Sequence, residues 1–550
     1  MLQWDSSSVG EGQRSGTGRA GTQMARRRRK SRTFKRADYA AVLEQTIRLG
    51  DCLPPEHLAR FIVDAVAQLD MSRIYGHYGT RGGEPYTPEV LLGLLFYGYA
   101  TGVFSTRKIE RATYEDIPFR YVAGGWHPDH DTLAHFRKVF LVELEELFVQ
   151  VLLLAQEMGL LQLGTISLDG TKIHADASKS KAVSYKHLLA QEAQLRAEVA
   201  ELFALGEQAD QSTVPAEVVI PDEIARRKAH LARLAEAKAV LDARAAERDA
   251  LERAAYDATM QERAEKEARS GRRLGGRAPT PPTPGPRDTD QYNFTDPESR
   301  IMKNPTNKGM EQHYNGQVAV EHESLLIVGH ALSNHPNDQH EVEPTLDAIP
   351  AQVGTPDAAA LDTGYFSAAN IAACETRGIA PYIATGRTPH HEGWRAACAA
   401  LPPTPPPDDA SPKEQMAYKL KTALGQAIYR RRKCTVEPVL GCLKEVLGFR
   451  QFSLRGLAAA AGEWCLLCLA RNLKRLHVLS LARGRRLPAP AAPGMIGPAV
   501  LGFLVLILRE SVLIGSAATA QRRLPRGTGA VCVAGFLLGT PLRSFSPTSC

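Results

Sequence analysis

The spacing of apolar residues predicts a helical region early in the chain. Between residues 39 and 160 hydrophobic side chains recur every three or four positions, a period typical of one face of an α-helix. The spacing predicts helices over 56–69, 90–102, 107–114 and 133–156. Short helices joined by tight turns are typical of helix-turn-helix domains and equally of plain helical bundles, and the pattern alone does not separate the two.

The pattern changes to that of strands at residue 165. A short strand at 165–175 is expected to carry Asp169 at its apolar end, followed by an Asp-Gly turn. Further on, apolar runs predict an antiparallel pair and two more strands, with helices between them: strands at 316–322, 325–332, 358–361 and 380–384, and helices at 341–348 and 367–377. This order indicates an α/β domain with a mixed sheet. Helical periodicity returns over 412–447 and 456–480.

A charged segment interrupts the mixed region. Leu, Ala, Glu, Arg and Lys dominate residues 187–270, which predicts two helices in an antiparallel hairpin around a turn at 210–221. A proline-rich linker at 279–286 follows. We interpret 187–289 as an insertion. The predicted organisation is a disordered basic arm, a helical N-terminal domain with a DNA-binding role, an α/β domain in two pieces around the insertion, and an irregular tail: 1–38, 39–160, 161–186 with 290–480, and 481–550.

Composition supports a globular, intracellular protein. Of the 550 residues, 44% are hydrophobic and 23% charged, values that argue against a disordered or fibrous chain. Nine irregularly spaced cysteines argue against a disulfide framework. The apolar stretch 495–508 is too short to span a membrane, so we expect no membrane association and a cytoplasmic location. The net charge of +7 is concentrated in runs such as 26–30 and 430–433, which suit phosphate binding, although solvated surface is the simpler interpretation of any one run.

Two aspartates follow apolar strands in the predicted sheet. Asp169 precedes Gly170, and Asp362 precedes Thr363-Gly364. Carboxylates mounted on neighbouring strands could hold the metal ions used in phosphodiester chemistry, because two Mg²⁺ ions activate an attacking oxygen and stabilise a leaving one. Ordinary Asp-Gly turn chemistry is the alternative for either residue alone.

A third acid lies in a basic, helical stretch. Glu437 is seven residues from both Arg430 and Lys444 and four after Lys433, so these side chains share one helical face. An acid among cations suits a metal-bound phosphate backbone, whereas an ordinary ion pair on a solvated helix is the alternative. Pro438 disfavours helix at the residue before it, so we expect a kink and a helix restart near Glu437.

Several motifs, in order along residues 40 to 480, resemble the DDE transposases of bacterial insertion sequences. They are Arg-Lys-Ile-Glu-Arg at 107–111 within the similar stretch 75–121, Pro-Asp-His-Asp-Thr-Leu-Ala-His-Phe-Arg at 128–137, Asp-Gly-Thr-Lys-Ile at 169–173, Asp-Pro-Glu-Ser-Arg-Ile-Met at 296–302, Tyr-Asn-Gly-Gln at 314–317, Leu-Asp-Thr-Gly-Tyr-Phe-Ser at 361–367, and the stretch 429–444 with Tyr-Arg-Arg-Arg-Lys and Val-Glu-Pro-Val. One such motif would be weak; this many in order is specific.

The resemblance implies an RNase H-like catalytic domain behind a helical N-terminal domain. It implies that Asp169, Asp362 and Glu437 are the catalytic, metal-binding triad, holding two Mg²⁺ ions or Mn²⁺ in their place. It implies DNA contacts from a further set of side chains: Tyr429, Arg430, Lys433, Lys444, Arg107 and Lys108. In the family's signature an arginine lies three intervening positions before the glutamate; here Lys433 takes that place, and Tyr429 falls one residue further off.

The resemblance further implies a transposase that nicks DNA at the element ends and joins the freed 3′-OH to target DNA. Its partners would be double-stranded DNA, with terminal inverted repeats and target, bound by a homodimer on paired ends, and its location the bacterial cytoplasm and nucleoid. Two alternatives stay open: an RNase H-like nuclease without strand transfer, and a decayed DNA-binding derivative without activity.

Overall fold

The chain divides into two units, Met1–Arg48 and Leu49–Cys550, and the second contains nearly all of the described structure. A computed structural model describes residues 48–79, 83–209, 219–273, 275–304, 309–386, 405–407 and 410–488. The predicted basic arm 1–38, most of the predicted tail 481–550 and the apolar stretch 495–508 lie outside these residues.

The N-terminal part of the second unit is helical, as predicted. Its α-helices are α1 (Leu58–Val66), α2 (Ser72–Gly76), α3 (Pro88–Thr101), α4 (Thr106–Glu115), α5 (Ile117–Val122), α6 (His130–Val139) and α7 (Glu143–Glu157), after a 3₁₀ turn at Leu49–Cys52. Helix α3 is buried on nearly all sides. It ends at Gly102, whose left-handed backbone (φ 85°) suits a residue without a side chain.

The single helix expected over 133–156 is wrong. The chain breaks between α6 and α7, where Phe140 leaves the helical conformation with φ −101° and ψ 28°. Leu141, in the break, packs so closely on a later helix that a methyl group added to Gly462 would lie 2.7 Å from it. Packing therefore overrides a continuous helical pattern.

The sheet is mixed, as the sequence predicts. Its strands are β1 (Thr165–His174), β4 (Arg300–Lys303), β5 (Met310–Glu321), β6 (Ile327–Ser333), β7 (Ala358–Leu361) and β8 (Ala380–Ile383). The order is β4–β5–β1–β7–β8, and β6 also pairs with β5. Strand β1 is antiparallel to β5 and parallel to β7, and β7 is parallel to β8. This arrangement is consistent with an RNase H-like fold.

Short elements link the later strands. Helices α10 (Val342–Asp347) and α11 (Ala368–Thr376) lie where helices are predicted, and 3₁₀ turns occupy Asp338–His340 and Thr363–Tyr365. The expected turn at Asp169 is wrong, because β1 continues for five residues beyond it. Gly170 permits this continuation: an added methyl group there would lie 2.8 Å from Asp338 Oδ1 and still closer to the Gln317 amide.

The charged segment forms the predicted antiparallel pair of helices. These are α8 (Tyr185–Ala209) and α9 (Ile220–Ser270), flanked by a 3₁₀ turn at Lys179–Lys181 and by the paired strands β2 (Ala182–Ser184) and β3 (Gln291–Asn293). Arg227 binds Glu198, and Lys238 lies 3.9 Å from Glu192, so the two helices run in opposite directions. A small apolar cluster of their own holds them together.

Three α-helices complete the described chain: α12 (Pro412–Lys421), α13 (Ala423–Gly441) and α14 (Leu457–Arg483), with a π-helical turn at Cys442–Val446. The restart expected near Glu437 is wrong, because α13 passes through Pro438 without interruption. Pro438 lacks the N–H that would bond to the carbonyl of residue 434. Cys434, which carries that carbonyl, is an exposed residue.

Helix α14 joins the sheet to the N-terminal helices in one hydrophobic core. Trp464 lies against Gly316 of β5 and donates to the Gln317 carbonyl at 3.2 Å. Glu463, fully buried, accepts from Tyr99 of α3 at 2.8 Å, and Arg137 of α6 donates to the same Tyr99 hydroxyl. No helix in the described ranges is both long and apolar enough to cross a membrane.

Candidate active site

Asp169 lies on β1, and Asp362 directly follows the neighbouring parallel strand β7. The register pairs Thr165 with Ala358 and Ser167 with Ala360. Continued by two residues, it sets Asp169 level with Asp362, the residue after β7, and neighbouring strands lie only about 4.8 Å apart. Asp362 also caps the following 3₁₀ turn by accepting from the Gly364 N–H, which fixes its carboxylate at the sheet edge.

Helix α13 crosses this edge and brings Glu437 to the same side as Asp169. Arg432 Nη1 lies 3.2 Å from Asp169 Oδ2, and Arg432 Nη2 lies 3.7 Å from Glu437 Oε1. One guanidinium therefore spans the two acids. The Arg432 side chain is only 9% exposed, whereas that of Glu437 is 52% exposed. The carboxylate oxygens of the three acids, all within the described chain, do not all lie within 4.8 Å of one another.

Arg432 is the site residue that the sequence pattern missed. The family signature and the four-residue spacing from Glu437 assign the basic position to Lys433, but Lys433 is exposed and Arg432 faces the acids. The contact between Arg432 and Asp169 distinguishes Arg432 from its neighbours, and nothing in the sequence reports that contact. Its Nε is buried without a hydrogen-bond partner among the described residues, so the guanidinium is held mainly by the acids and by the Tyr429 ring, 6.0 Å away.

Two family models match the chain. Residues 47–139 match the Transposase domain (DUF772), and residues 407–477, which include Arg432 and Glu437, match the Transposase DDE domain. Both matches are to transposase domains, and they support a DDE transposase of the insertion-sequence type. Searches of curated proteins and of solved structures each returned no match. The resemblance seen in the motifs is thereby confirmed at both ends of its span.

The remaining candidate DNA contacts of the transposase lie in different surroundings. On α13, Arg430 and Lys433 are exposed and Tyr429 is partly buried. On α4, within the first matched region, Arg107 and Lys108 are both exposed. All of these cations are open to a phosphate backbone, and the transposase families that match imply binding of DNA.

Lys444 differs from these exposed cations. Its ammonium donates to Thr171 Oγ1 and to the Lys172 carbonyl, both at 2.8 Å. Both acceptors belong to β1, two and three residues after Asp169. Burial lowers the pKa of Lys444. In this structure its amine therefore attaches the π-helical turn to the strand that carries Asp169, instead of pointing into solvent.

Burial dominates the electrostatics of Asp169. Loss of solvent raises the pKa of its carboxyl to about 6, an effect that Arg432 opposes and that nearby Asp362 and Asp338 increase. A buried carboxylate with acidic neighbours favours a bound cation, because a cation offsets the lost hydration. Three carboxylates face one guanidinium here, so negative charge is in excess.

The donor set fits the hard divalent ions that DDE transposases use. All three acids offer carboxylate oxygens, the ligands that Mg²⁺ prefers. The excess negative charge and the raised pKa of Asp169 both indicate a site in need of a cation. Divalent metal use is general to the family.

A polar network behind the acids fixes Asp338. Asp338 Oδ1 accepts from Asn315 Nδ2 at 2.8 Å and from Gln317 Nε2 at 2.9 Å. Gln317 in turn accepts from the buried Tyr365 hydroxyl at 2.6 Å. These bonds connect β5 to the 3₁₀ turn after Asp362, so they hold the segment that carries the second acid against the sheet.

Proposed function

We propose that this transposase cleaves DNA strands at the ends of its insertion sequence and transfers the freed 3′-OH ends into target DNA. The observation that carries the proposal is the position of Arg432, whose one guanidinium contacts both Asp169 and Glu437. Asp362, level with Asp169 across the parallel strands, completes the triad.

In this proposal Asp169, Asp362 and Glu437 hold two Mg²⁺ ions, for which Mn²⁺ can substitute. When bound, such ions activate the attacking oxygen and stabilise the leaving one. Asp169 is the central ligand, since the strand register sets it beside Asp362 and Arg432 links it to Glu437. Arg432 orients the carboxylate of Asp169 and keeps α13 against β1.

Exposed cations beside the acids hold the DNA. Arg430 and Lys433 precede Glu437 on α13 and neutralise phosphates near the cleaved bond. Tyr429 contributes a hydroxyl donor; burial raises its pKa, so it stays protonated at neutral pH. Arg107 and Lys108 bind DNA further from the reacting phosphate. The active form is a homodimer that holds two terminal inverted repeats together with the target.

The test uses labelled duplexes that carry the sequences flanking the reading frame, with purified full-length protein and Mg²⁺. Wild type is expected to give nicked ends and joined products. Asp169→Asn, Asp362→Asn and Glu437→Gln should each abolish both products yet retain the duplex in a gel shift, because they remove ligand charge without altering the exposed cations. Glu445→Gln is the matched control, since Glu445 is an exposed acid eight residues after Glu437 and lies outside the proposed triad.

Other outcomes would assign the chain differently. Cleavage without joined products would indicate a nuclease that lacks strand transfer. Retention of DNA without cleavage, by wild type with either Mg²⁺ or Mn²⁺, would indicate a binding protein that has lost activity. Full cleavage by Glu437→Gln would refute the assignment of the third acid.

A further inference from the structure

A cluster of two histidines and a glutamate lies at the far end of β1. One ligand atom from each of His174, Glu311 and His313 lies within 4.8 Å of the other two. His174 Nε2 and Glu311 Oε2 are 3.6 Å apart. Four atoms bound tetrahedrally to an ion at about 2.1 Å would be separated by about 3.4 Å, so small side-chain movements would bring the three into coordination.

Strand pairing builds this cluster. His174 and His313 are direct partners in the antiparallel register of β1 and β5. Glu311 lies two residues before His313 on the same strand, and side chains two apart point to the same face. The imidazole rings are 4.3 Å apart between centroids. The three donors are therefore held on a rigid sheet, which is more precise than a loop.

Hydrogen bonds orient the donors further. His313, 1% exposed, places Nδ1 at 2.9 Å from the Glu311 carbonyl oxygen. A carbonyl can only accept, so Nδ1 carries the proton and a neutral ring presents Nε2 as the acceptor nitrogen. Asn304 donates to Glu311 Oε2 at 2.7 Å. Such second partners are how proteins usually fix the tautomer and direction of metal ligands.

The backbone of His174 is equally fixed. Its N–H donates to the Arg450 carbonyl at 3.0 Å, and its carbonyl accepts from Phe452 at 2.9 Å. The segment that follows the π-helical turn thus closes on β1 at this residue. The imidazole can turn only about its own side-chain bonds, so little ordering remains to be done when an ion binds.

We propose that His174, Glu311 and His313 form a binding site for a divalent transition-metal ion, with Zn²⁺ as the first choice. Two imidazoles and one carboxylate are a set that Zn²⁺ and its first-row neighbours prefer, whereas Mg²⁺ takes oxygen ligands. The ion would join β1 to β5 at the end of the sheet, beyond the strand positions occupied by the catalytic acid.

This site is separate from the proposed catalytic one. Asp169 and His174 are five residues apart on one strand, so their side chains point to opposite faces of the sheet. Arg432 and Glu437 approach the face of Asp169, whereas Asn315 and Gln317, the register partners of Lys172 and Gly170, lie with His174 on the other. An ion at His174 would not compete for the triad.

A second cluster in the described chain provides an internal comparison. Glu145, His330 and Cys465 also bring ligand atoms within 4.8 Å. There, however, Cys465 is fully buried in α14, and His330 lies edge-on against Phe148 while its Nε2 is 3.3 Å from Glu145. This cluster is accounted for as a polar contact between α7 and β6 within the core.

The experiment measures Zn²⁺ bound by the chelator-treated full-length protein, by competition with a chromogenic chelator, and Co²⁺ binding by visible absorption. His174→Gln and Glu311→Gln are each expected to remove one equivalent of tightly bound Zn²⁺ and the matching Co²⁺ bands. Asn304→Ala should weaken binding by about 10–100-fold without abolishing it. Cys465→Ser and Asp169→Asn are the controls, and both should keep the equivalent.

Thermal melts provide a second readout. Zn²⁺ should raise the melting temperature of wild type by several degrees and leave that of Glu311→Gln unchanged, because only a folded site gains from a bound ligand. Equal Zn²⁺ content in wild type, His174→Gln and Glu311→Gln would overturn the proposal, as would loss of the equivalent in Cys465→Ser alone. None of these measurements depends on DNA cleavage, so they are independent of the transposition assay.

Discussion

Replacement of Asp169 by asparagine tests the electrostatics of the acid site without DNA. Burial raises the pKa of the Asp169 carboxyl from 3.8 to about 6, which at about 1.4 kcal/mol per pKa unit amounts to about 3 kcal/mol between the two protonation states. The side chain is 22% exposed, so solvent screening reduces this only in part. Asparagine has the shape of the acid but cannot ionise.

The sign follows from the direction of the shift. A group whose folded-state pKa is raised favours the folded state fully below its unfolded pKa, and this contribution is lost as pH rises through the folded pKa. For Asp169 the window runs from about pH 4 to about pH 6. The free energy of unfolding of wild type relative to Asp169→Asn should therefore fall by up to about 3 kcal/mol between pH 4 and pH 8, measured without divalent metal.

Differential scanning fluorimetry across this pH range measures the effect as a melting-temperature difference of a few degrees. Asp131→Asn is the comparison variant, because the Asp131 side chain is 88% exposed and lies 3.5 Å from His130, so its difference from wild type should stay well below that of Asp169→Asn. A constant difference for Asp169→Asn, or one that favours wild type as pH rises, would refute the burial argument. Saturating Mg²⁺ should stabilise wild type and not the variant.

Four further variants separate the roles of the basic residues from that of Gly170 in strand β1. Arg432→Met should lower stability by about 1–3 kcal/mol and abolish cleavage, because it leaves a buried carboxylate unpaired; melts and the gel assay check this, and unchanged melting would contradict the ion pair. Lys444→Met should lower stability by about 1–3 kcal/mol through two lost hydrogen bonds, whereas Lys433→Met should leave melting unchanged and reduce the salt dependence of DNA binding by about one phosphate; equal effects of the two on melting would count against this difference. Gly170→Ala should cost about 1–3 kcal/mol by overpacking, and a melt equal to that of wild type would show that the neighbouring amide can move aside.

The sequence was sufficient for most elements of the fold. Runs such as 316–322 and 358–361 predict their strands because their period and apolar character agree with their tertiary surroundings. The hydrophobic period gave a wrong prediction where tertiary packing interrupts a helix. The pattern over 133–156 predicts one continuous helix, but Leu141 packs against Gly462 of a helix more than three hundred residues later. No local sequence signal indicates that contact.

The sequence predicts the three candidate acids, but it does not predict the backbone conformation at Asp169 or the role of Arg432. Asp169 was expected in a turn, because Asp-Gly is turn chemistry; in the sheet, Gly170 instead leaves room for side chains from β5 and from the 3₁₀ turn that follows β6. Arg432 and Lys433 are adjacent, and only the rotation of α13 about its axis decides which faces Asp169. Pro438 was expected to mark a break, but α13 continues through it, and Cys434, whose carbonyl loses its helical partner, is an exposed residue.

The hairpin of α8 and α9 has a consequence for the order in which the chain folds. Strands β1 and β5 are immediate neighbours in the sheet, yet 135 residues lie between His174 and Met310. A flexible loop of that length would slow their pairing and leave β1 with an unpaired edge during synthesis. The hairpin shortens the connection, because the Tyr185 N–H bonds to the Asp290 carbonyl at 2.8 Å and β2 pairs with β3. Once this local unit has formed, the ends of the long segment are already adjacent, and β5 reaches β1 as though the two were joined by a short loop.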